Sequence, residues 1–169
     1  MTGSDLPQLT APFLKNLRPL APKDAEKLTE ACQDAETQRW TNVPPAYTLD
    51  MAHAFIRGTE CKWAMTDERD DFCGVIELRP RNDFLADLGY HTAPWARGQG
   101  FTTDAVVTVT EWAFGQGFHR IELKADVNNV ASRRVAEKAG FAFEGVARGS
   151  QHMHGRFDDL AVYARLATD

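Results

Sequence analysis

Three scarcities narrow this chain before any motif is read. Cysteine is scarce: Cys32, Cys61 and Cys73 are odd in number and show no Cys-x-x-Cys spacing. They read as reduced structural thiols, not as disulfides or metal ligands. Long apolar runs are missing too, with nothing approaching the roughly 20 residues of a membrane span. Residues 1–12 lack the apolar stretch of a signal peptide, so the expected compartment is the cytoplasm and no membrane partner is expected. Nor is positive charge in excess: Lys+Arg 19 against Asp+Glu 24 gives a net charge of −5 and a pI near 5.5. Without a Lys/Arg-dense stripe, nucleic acid is excluded as a generic partner, whereas a mildly acidic surface suits a cationic acceptor such as an amine.

What is present suffices for one domain with a sizeable core: 169 residues, 43% hydrophobic, with four tryptophans. Residues 1–12, polar and punctuated by proline, are expected as a mobile leader ahead of a single domain over 13–169. A first strand is expected within 13–20, and helical periodicity runs over 22–35 through Ala25, Leu28 and Cys32. Pro44-Pro45 marks a loop, after which Thr48 caps a short helix through Ala52, Phe55 and Ile56. Residues 62–66 and 72–78 read as a hairpin round the charged turn 67–71. A strand over 85–92, a helix over 102–115, a strand over 119–125 and a helix over 130–139 follow. Gly140 closes that last helix, and two strands, near 141–148 and 157–166, end the chain.

The strand over 85–92 leads through Pro94-Trp95-Ala96-Arg97-Gly98-Gln99-Gly100-Phe101-Thr102 straight into a helix. Free N–H groups at a helix N-terminus bind phosphate oxygens, and glycines let those oxygens approach the main chain. The loop is no P-loop, because no Gly-Lys-Ser/Thr follows. A dinucleotide fingerprint is nearer, with Thr103 at its third glycine position and Asp126 at the end of the next strand. Against it, too little chain remains for a second mononucleotide half.

A second motif joins the first. Asn129-x-Ala131-Ser132 is followed by Val135-Ala136-Glu137-Lys138-x-Gly140-Phe141-x-x-Glu144-Gly145. With Arg97-Gly98-Gln99-Gly100-Phe101-Thr102-Thr103-Asp104-Ala105, this resembles the GCN5-related N-acetyltransferase (GNAT) superfamily, and within it the RimJ/RimL-like branch. The family loop usually carries glycine or alanine where Thr102 stands, so the threonine either crowds the phosphates or adds a hydrogen bond.

The resemblance implies an α+β (α/β) GNAT fold: a mixed, mostly antiparallel sheet of about seven strands, splayed between the fourth and fifth and flanked by about four helices. It implies acetyl-CoA as acyl donor, with no metal. The pantetheine arm would pair with the strand at Leu88, Tyr90 and Thr92, and the pyrophosphate would rest on Arg97, Gly98, Gln99, Gly100, Phe101, Thr102 and Thr103. Asn129 is similar to the residue that contacts the pantetheine, and Ser132 lies near the thiol end. The implied reaction is direct attack of a neutral amine on the thioester, with no covalent enzyme intermediate. The acceptor is a protein N-terminus or a small amine, and the molecule a monomer or homodimer. Two other readings stay open, a non-catalytic acyl-CoA-binding module and, remotely, a dinucleotide-binding protein.

Candidate catalytic groups follow from that chemistry. A backbone N–H of His91 or Thr92 is expected to hold the oxyanion. Ser132 is the expected proton donor to the thiolate. Asp87 and His91 share a strand face by period-two alternation and are the candidate bases, with Glu77 a third. Trp40 is expected in the acceptor wall, and Tyr163 at its edge. His152 and His154, with no carboxylate cluster nearby, read as surface residues.

Overall fold

The computed structural model describes residues 6–12 and 16–169. Among these residues, eight strands form one sheet in the order β1-β2-β3-β4-β5-β6-β8-β7. They are β1 (Leu9–Thr10), β2 (Asn16–Pro19), β3 (Cys61–Thr66), β4 (Phe72–Pro80), β5 (Leu85–Thr92), β6 (Arg120–Asp126), β7 (Ala142–Met153) and β8 (Arg156–Leu166). Among the described residues the α-helices are α1 (Ala25–Gln33), α2 (Ala35–Trp40), α3 (Leu49–Arg57), α4 (Phe101–Gly115) and α5 (Val130–Lys138). Every neighbouring pair is antiparallel except β5 and β6. This is the α+β architecture expected from the sequence. The splay expected between strands four and five falls between β5 and β6, because the pairing of Leu9 with Leu17 adds an edge strand ahead of the expected first one.

That edge strand comes from the segment expected as a mobile leader, part of which (1–5) lies outside the described residues. From Leu6 onward it is docked: Leu6 is buried, and Trp63 Nε1 donates to the Pro7 carbonyl at 2.9 Å. Residues 13–15 of the expected first strand also lie outside the described residues, and the strand itself spans Asn16–Pro19.

The sheet is covered on both faces. α1 and α3 bury Leu28, Ala31, Cys32 and Ala52 against Ala64, Val75 and Ala93 on one face. On the other, Ala105, Val106, Val109 and Ala113 of α4 and Ala136 of α5 cover Trp63, Ile76, Leu88, Ile121, Leu123 and Tyr163. The period-two pattern places alternate residues of each strand in these two cores. Trp63 meets Trp112 edge-on, with ring centroids 5.1 Å apart, a favoured aromatic geometry.

Local rules explain most boundaries. Thr48 accepts from Met51 N–H at the start of α3, and Asn129 Oδ1 accepts from Ser132 N–H at the start of α5. Gly140, at φ 81°, ends α5 in the left-handed conformation that glycine adopts at least cost. The helix expected over 22–35 is interrupted. Asp34 turns extended at ψ 135° and caps a new helix, α2, accepting from Thr37 N–H.

Candidate active site

The parallel pairing of β5 and β6 is short, running from Leu85 opposite Arg120 to Leu88 opposite Leu123. Beyond that point both strands continue, β5 to Thr92 and β6 to Asp126, without pairing to each other. On its other side β5 stays paired with β4 up to Thr92 opposite Gly74, and Ala93 N–H donates to the Cys73 carbonyl at 2.9 Å. Antiparallel ladders alternate, so the main-chain groups of Gly89 and His91 serve β4, while those of Leu88, Tyr90 and Thr92 face the opening. The expected pairing residues are therefore the ones the ladder leaves available. Of the two N–H groups expected to hold an oxyanion, the alternation favours Thr92 over His91.

The glycine loop lies where β5 runs out. Pro94–Ala96 makes one 3-10 turn, then Gly98 at φ 76° and Gly100 at φ 81° set the chain for α4. A Cβ at either glycine would meet nothing within 4 Å, so the loop faces open space. The first helical hydrogen bond is Asp104 N–H to the Gly100 carbonyl, which leaves the N–H groups of Phe101, Thr102 and Thr103 pointing out of a four-turn helix. This concave row of N–H groups, with the dipole behind it, fits a pyrophosphate. The Thr102 hydroxyl bonds the Thr92 hydroxyl and ties α4 to the end of β5. Gln99 Nε2 bonds back to the Trp95 carbonyl. Arg97 turns away from the loop, its guanidinium paired with Asp34 and 3.1 Å from Thr37 Oγ1. The main chain of Arg97 stays in the loop, but its charge is committed to the start of α2.

Ser132 stands across the opening, in the first turn of α5. Its Oγ lies 2.8 Å from the Tyr90 hydroxyl. Burial, eased a little by that contact, raises the Tyr90 phenol to about 12, so it is a neutral hydroxyl at working pH. Asn129 is held as the cap of α5 by its bond to Ser132 N–H. The tyrosine hydroxyl was missed in reading the sequence, where Tyr90 counted only for its main chain.

The base candidates diverge. His91 is on the α1 side of the sheet, with Nε2 4.0 Å from Cys32 Sγ. Burial, aided by the charge of Arg97, lowers its pKa to about 4, so the ring is neutral and weakly basic. Cys32 is pushed up to about 11 by burial, against a hydrogen bond from Tyr47 that lowers it, and it holds its proton. This cluster shapes the floor between α1 and the sheet. Asp87 lies back along β5, bonded to Arg81 at 2.7 Å and with Lys124 at 3.8 Å, inside the paired part of the strands. Glu77, opposite Gly89, is 3.4 Å from Arg79.

The two residues expected at the acceptor site lie in different surroundings. Trp40 ends α2, half-buried, with Nε1 donating to Glu36 at 3.0 Å. Tyr163 does not border the cleft. It is fully buried and its hydroxyl lies 3.1 Å from Arg133 Nε and 3.2 Å from Glu137, both on α5. Register explains the correction: Tyr163 pairs with Leu123, whose side chain belongs to the core under α4 and α5. The turn that joins β7 to β8 reaches α2. There the hairpin turn supplies a contact that the sequence did not reveal, His154 Nε2 donating to the Gln38 carbonyl at 2.8 Å. His152 stacks on Phe157 instead, with centroids 4.8 Å apart. Among the described residues no group of three His, Cys, Asp or Glu side chains could hold a metal ion. No helix among them is long and apolar enough to cross a membrane.

A mixed sheet opened between two parallel strands, an N–H cradle at one end of the opening and a hydroxyl pair across it define an acyl-CoA-dependent transferase. Comparison with known proteins bears this out: residues 16–142 match the acetyltransferase (GNAT) domain family. The chain belongs to that family and is an acetyl-CoA-dependent N-acetyltransferase of the RimJ/RimL-like kind. It is 29% identical over 170 residues to Bacillus subtilis YdaF, provisionally named a ribosomal N-acetyltransferase, covering 89% of this chain and 90% of that one. A Bacillus anthracis GNAT-family acetyltransferase superposes with TM-score 0.89 at 20% identity, over 96% of this chain and all of that one (100%). RimL, the ribosomal L7/L12 alpha-N-protein acetyltransferase, solved with coenzyme A, superposes with TM-score 0.82 at 21% identity, over 95% and 98% of the two chains.

Proposed function

We propose that this chain transfers acetyl directly to a primary amine, with a protein N-terminal amine as the favoured acceptor. The observation that carries the reading is the end of β5–β6 pairing at Leu88 and Leu123, which turns the main chain of Tyr90 and Thr92 toward the opening beside the glycine loop. An extended pantetheine fits there as a short surrogate strand, and acetyl-CoA supplies the activated acyl carbon.

The chain's residues then have separate tasks. N–H groups from Gly98 to Thr103 hold the pyrophosphate. Thr92 or Tyr90 N–H is placed to stabilise negative charge on the thioester oxygen, a contribution that grows in a water-poor cleft. Ser132, bonded to Tyr90, returns a proton to the departing thiolate. Holding donor and amine together supplies much of the remaining acceleration. An α-amine, with a pKa of about 8, is partly neutral at working pH, so a strong base is not required. The ribosomal acceptor of RimL and the name of YdaF support an N-terminal acceptor over a small amine.

Calorimetric titration with acetyl-CoA, followed by thiol release with a serine-initiated peptide and with spermidine, tests the proposal. Binding near one to one and faster release with the peptide is the expected result. Binding without release from any amine would instead make the chain an acyl-CoA-binding module.

A further inference from the structure

We propose that Arg97 is a positioning residue for the acceptor, clamping α2 across the open end of the sheet, an inference that rests on the acetyltransfer reading above. α2 is held by opposite halves of the sheet. At its start Asp34 Oδ2 accepts from Thr37 N–H at 2.9 Å and is paired with Arg97, whose Nη2 also donates to Thr37 Oγ1 at 3.1 Å. Arg97 follows β5, on one side of the opening. Toward the other end of α2, the Gln38 carbonyl accepts from His154 Nε2 at 2.8 Å. His154 lies in the turn between β7 and β8. Because β8 runs antiparallel to β6, with Leu160 opposite Asp126, that turn lies beyond the end of β6, on the other side of the opening. The helix therefore bridges the two halves where their main chains have parted.

That bridge stands where the amine must pass. α4 and α5 cover the other face of the central strands, which leaves the side of α1 and α2 for approach to the thioester. α1 reaches β5 beside the opening, with Cys32 Sγ 4.0 Å from His91 Nε2, and α2 begins at Ala35. Gln38 Nε2 donates to the Cys32 carbonyl at 3.1 Å and to the Pro45 carbonyl at 3.0 Å. Gln33 Nε2 donates to the Tyr47 carbonyl at 2.9 Å. The ends of α1 and α2 and the loop over 44–47 thus form one unit, and Arg97 ties that unit to the glycine loop. Burial would raise the Asp34 pKa, but the bonds from Arg97 and Thr37 outweigh it and hold the carboxylate below its usual range. Asp34 is therefore charged at neutral pH and keeps the guanidinium turned away from the phosphates. The glycine loop serves the donor with its main chain and the acceptor with its one cationic side chain.

The test compares Arg97→Gln, Asp34→Asn and His154→Ala in the full chain, by acetyl-CoA calorimetry and by steady-state kinetics on a serine-initiated peptide. Asparagine caps a helix about as well as aspartate, so Asp34→Asn releases Arg97 while keeping α2. Each variant should raise the peptide KM about threefold to tenfold, the range for one hydrogen bond, and leave kcat and acetyl-CoA affinity within about twofold. Arg97→Gln combined with Asp34→Asn should raise KM no further than either alone, because both break one contact. In the acetyl-CoA complex, the amides of 35–41 should exchange hydrogen faster in every variant. A guanidinium that served the pyrophosphate would instead give weaker acetyl-CoA binding in Arg97→Gln and retained or tighter binding in Asp34→Asn, a result that would overturn the proposal. So would an unchanged peptide KM in Arg97→Gln or unchanged exchange in α2. A lower melting temperature with KM unaltered would mark a merely structural pair. Failure of the unchanged chain to bind acetyl-CoA, or to release thiol with any amine, would refute the acetyltransfer reading itself.

Discussion

The hydroxyls of Tyr90 and Ser132 lie 2.8 Å apart and join β5 to α5 across the opening where the two central strands part. A half-buried phenol and a first-turn serine thus form one proton-sharing unit. Ser132→Ala should lower kcat about a hundredfold, the lower end of the usual range for a positioned proton donor. Tyr90→Phe should lower kcat by less and leave acetyl-CoA binding within about twofold, because binding depends on its main chain. Steady-state kinetics with calorimetry on both variants checks this. An unchanged kcat in Ser132→Ala would remove the serine from the proposed chemistry.

Thr102 presents the opposite case, a residue that departs from the family pattern without disturbing the loop. Its hydroxyl is committed to Thr92. Thr102→Ala should therefore cost about 1 kcal/mol of stability, the usual value of one hydrogen bond. Its acetyl-CoA affinity should stay close to that of the unchanged chain. Urea unfolding and calorimetry separate the two effects, and a large gain in affinity would show that the side chain does crowd the phosphates.

Gly100 is needed for its backbone and for its lack of a side chain. Its φ of 81° costs an L-residue about 1–2 kcal/mol. A Cβ there would project into the space that the loop leaves open. Gly100→Ala should lower the melting temperature and weaken acetyl-CoA binding together. A variant that melts lower but binds normally would place the phosphates elsewhere.

His91 makes stability depend on acidity. The folded ring titrates at about 4, below its ordinary 6.5, chiefly because it is buried. The unfolded chain therefore takes up the proton first. The stability due to the neutral ring is complete above 6.5, is lost as pH falls from there toward 4, and changes no further below. His91→Gln should flatten that decline. Urea midpoints above and within the window, compared for both chains, give the answer, and equal slopes would count against a desolvated neutral ring.

Much of this was legible in the chain itself. The strand over 85–92 and the helix after the loop depend on local signals, alternation and paired glycines, and both stand where those signals put them. Asn129 and Gly140 mark α5 by equally local chemistry. What escaped needed distant partners. The commitment of Arg97 to Asp34, 63 residues away, cannot be read from either neighbourhood. The facing of Tyr163 follows from its register with β6, which alternation within β8 alone does not give. The break at Asp34 was missed because helical periodicity continues through it, while the carboxylate caps a new helix.

The opening between β5 and β6 has a consequence for the solubility of the chain. A sheet margin with unsatisfied main-chain groups normally invites pairing with other polypeptides. Here such a margin lies in the middle of eight strands, roofed by α4 and α5, and begins only after Leu88 and Leu123 have sealed its base. A second protein strand would bring side chains to both faces of that wedge, against the roof of α4 and α5, whereas a slender arm brings few. The fold thus keeps a hydrogen-bonding template permanently available to a small molecule while hiding it from its own neighbours.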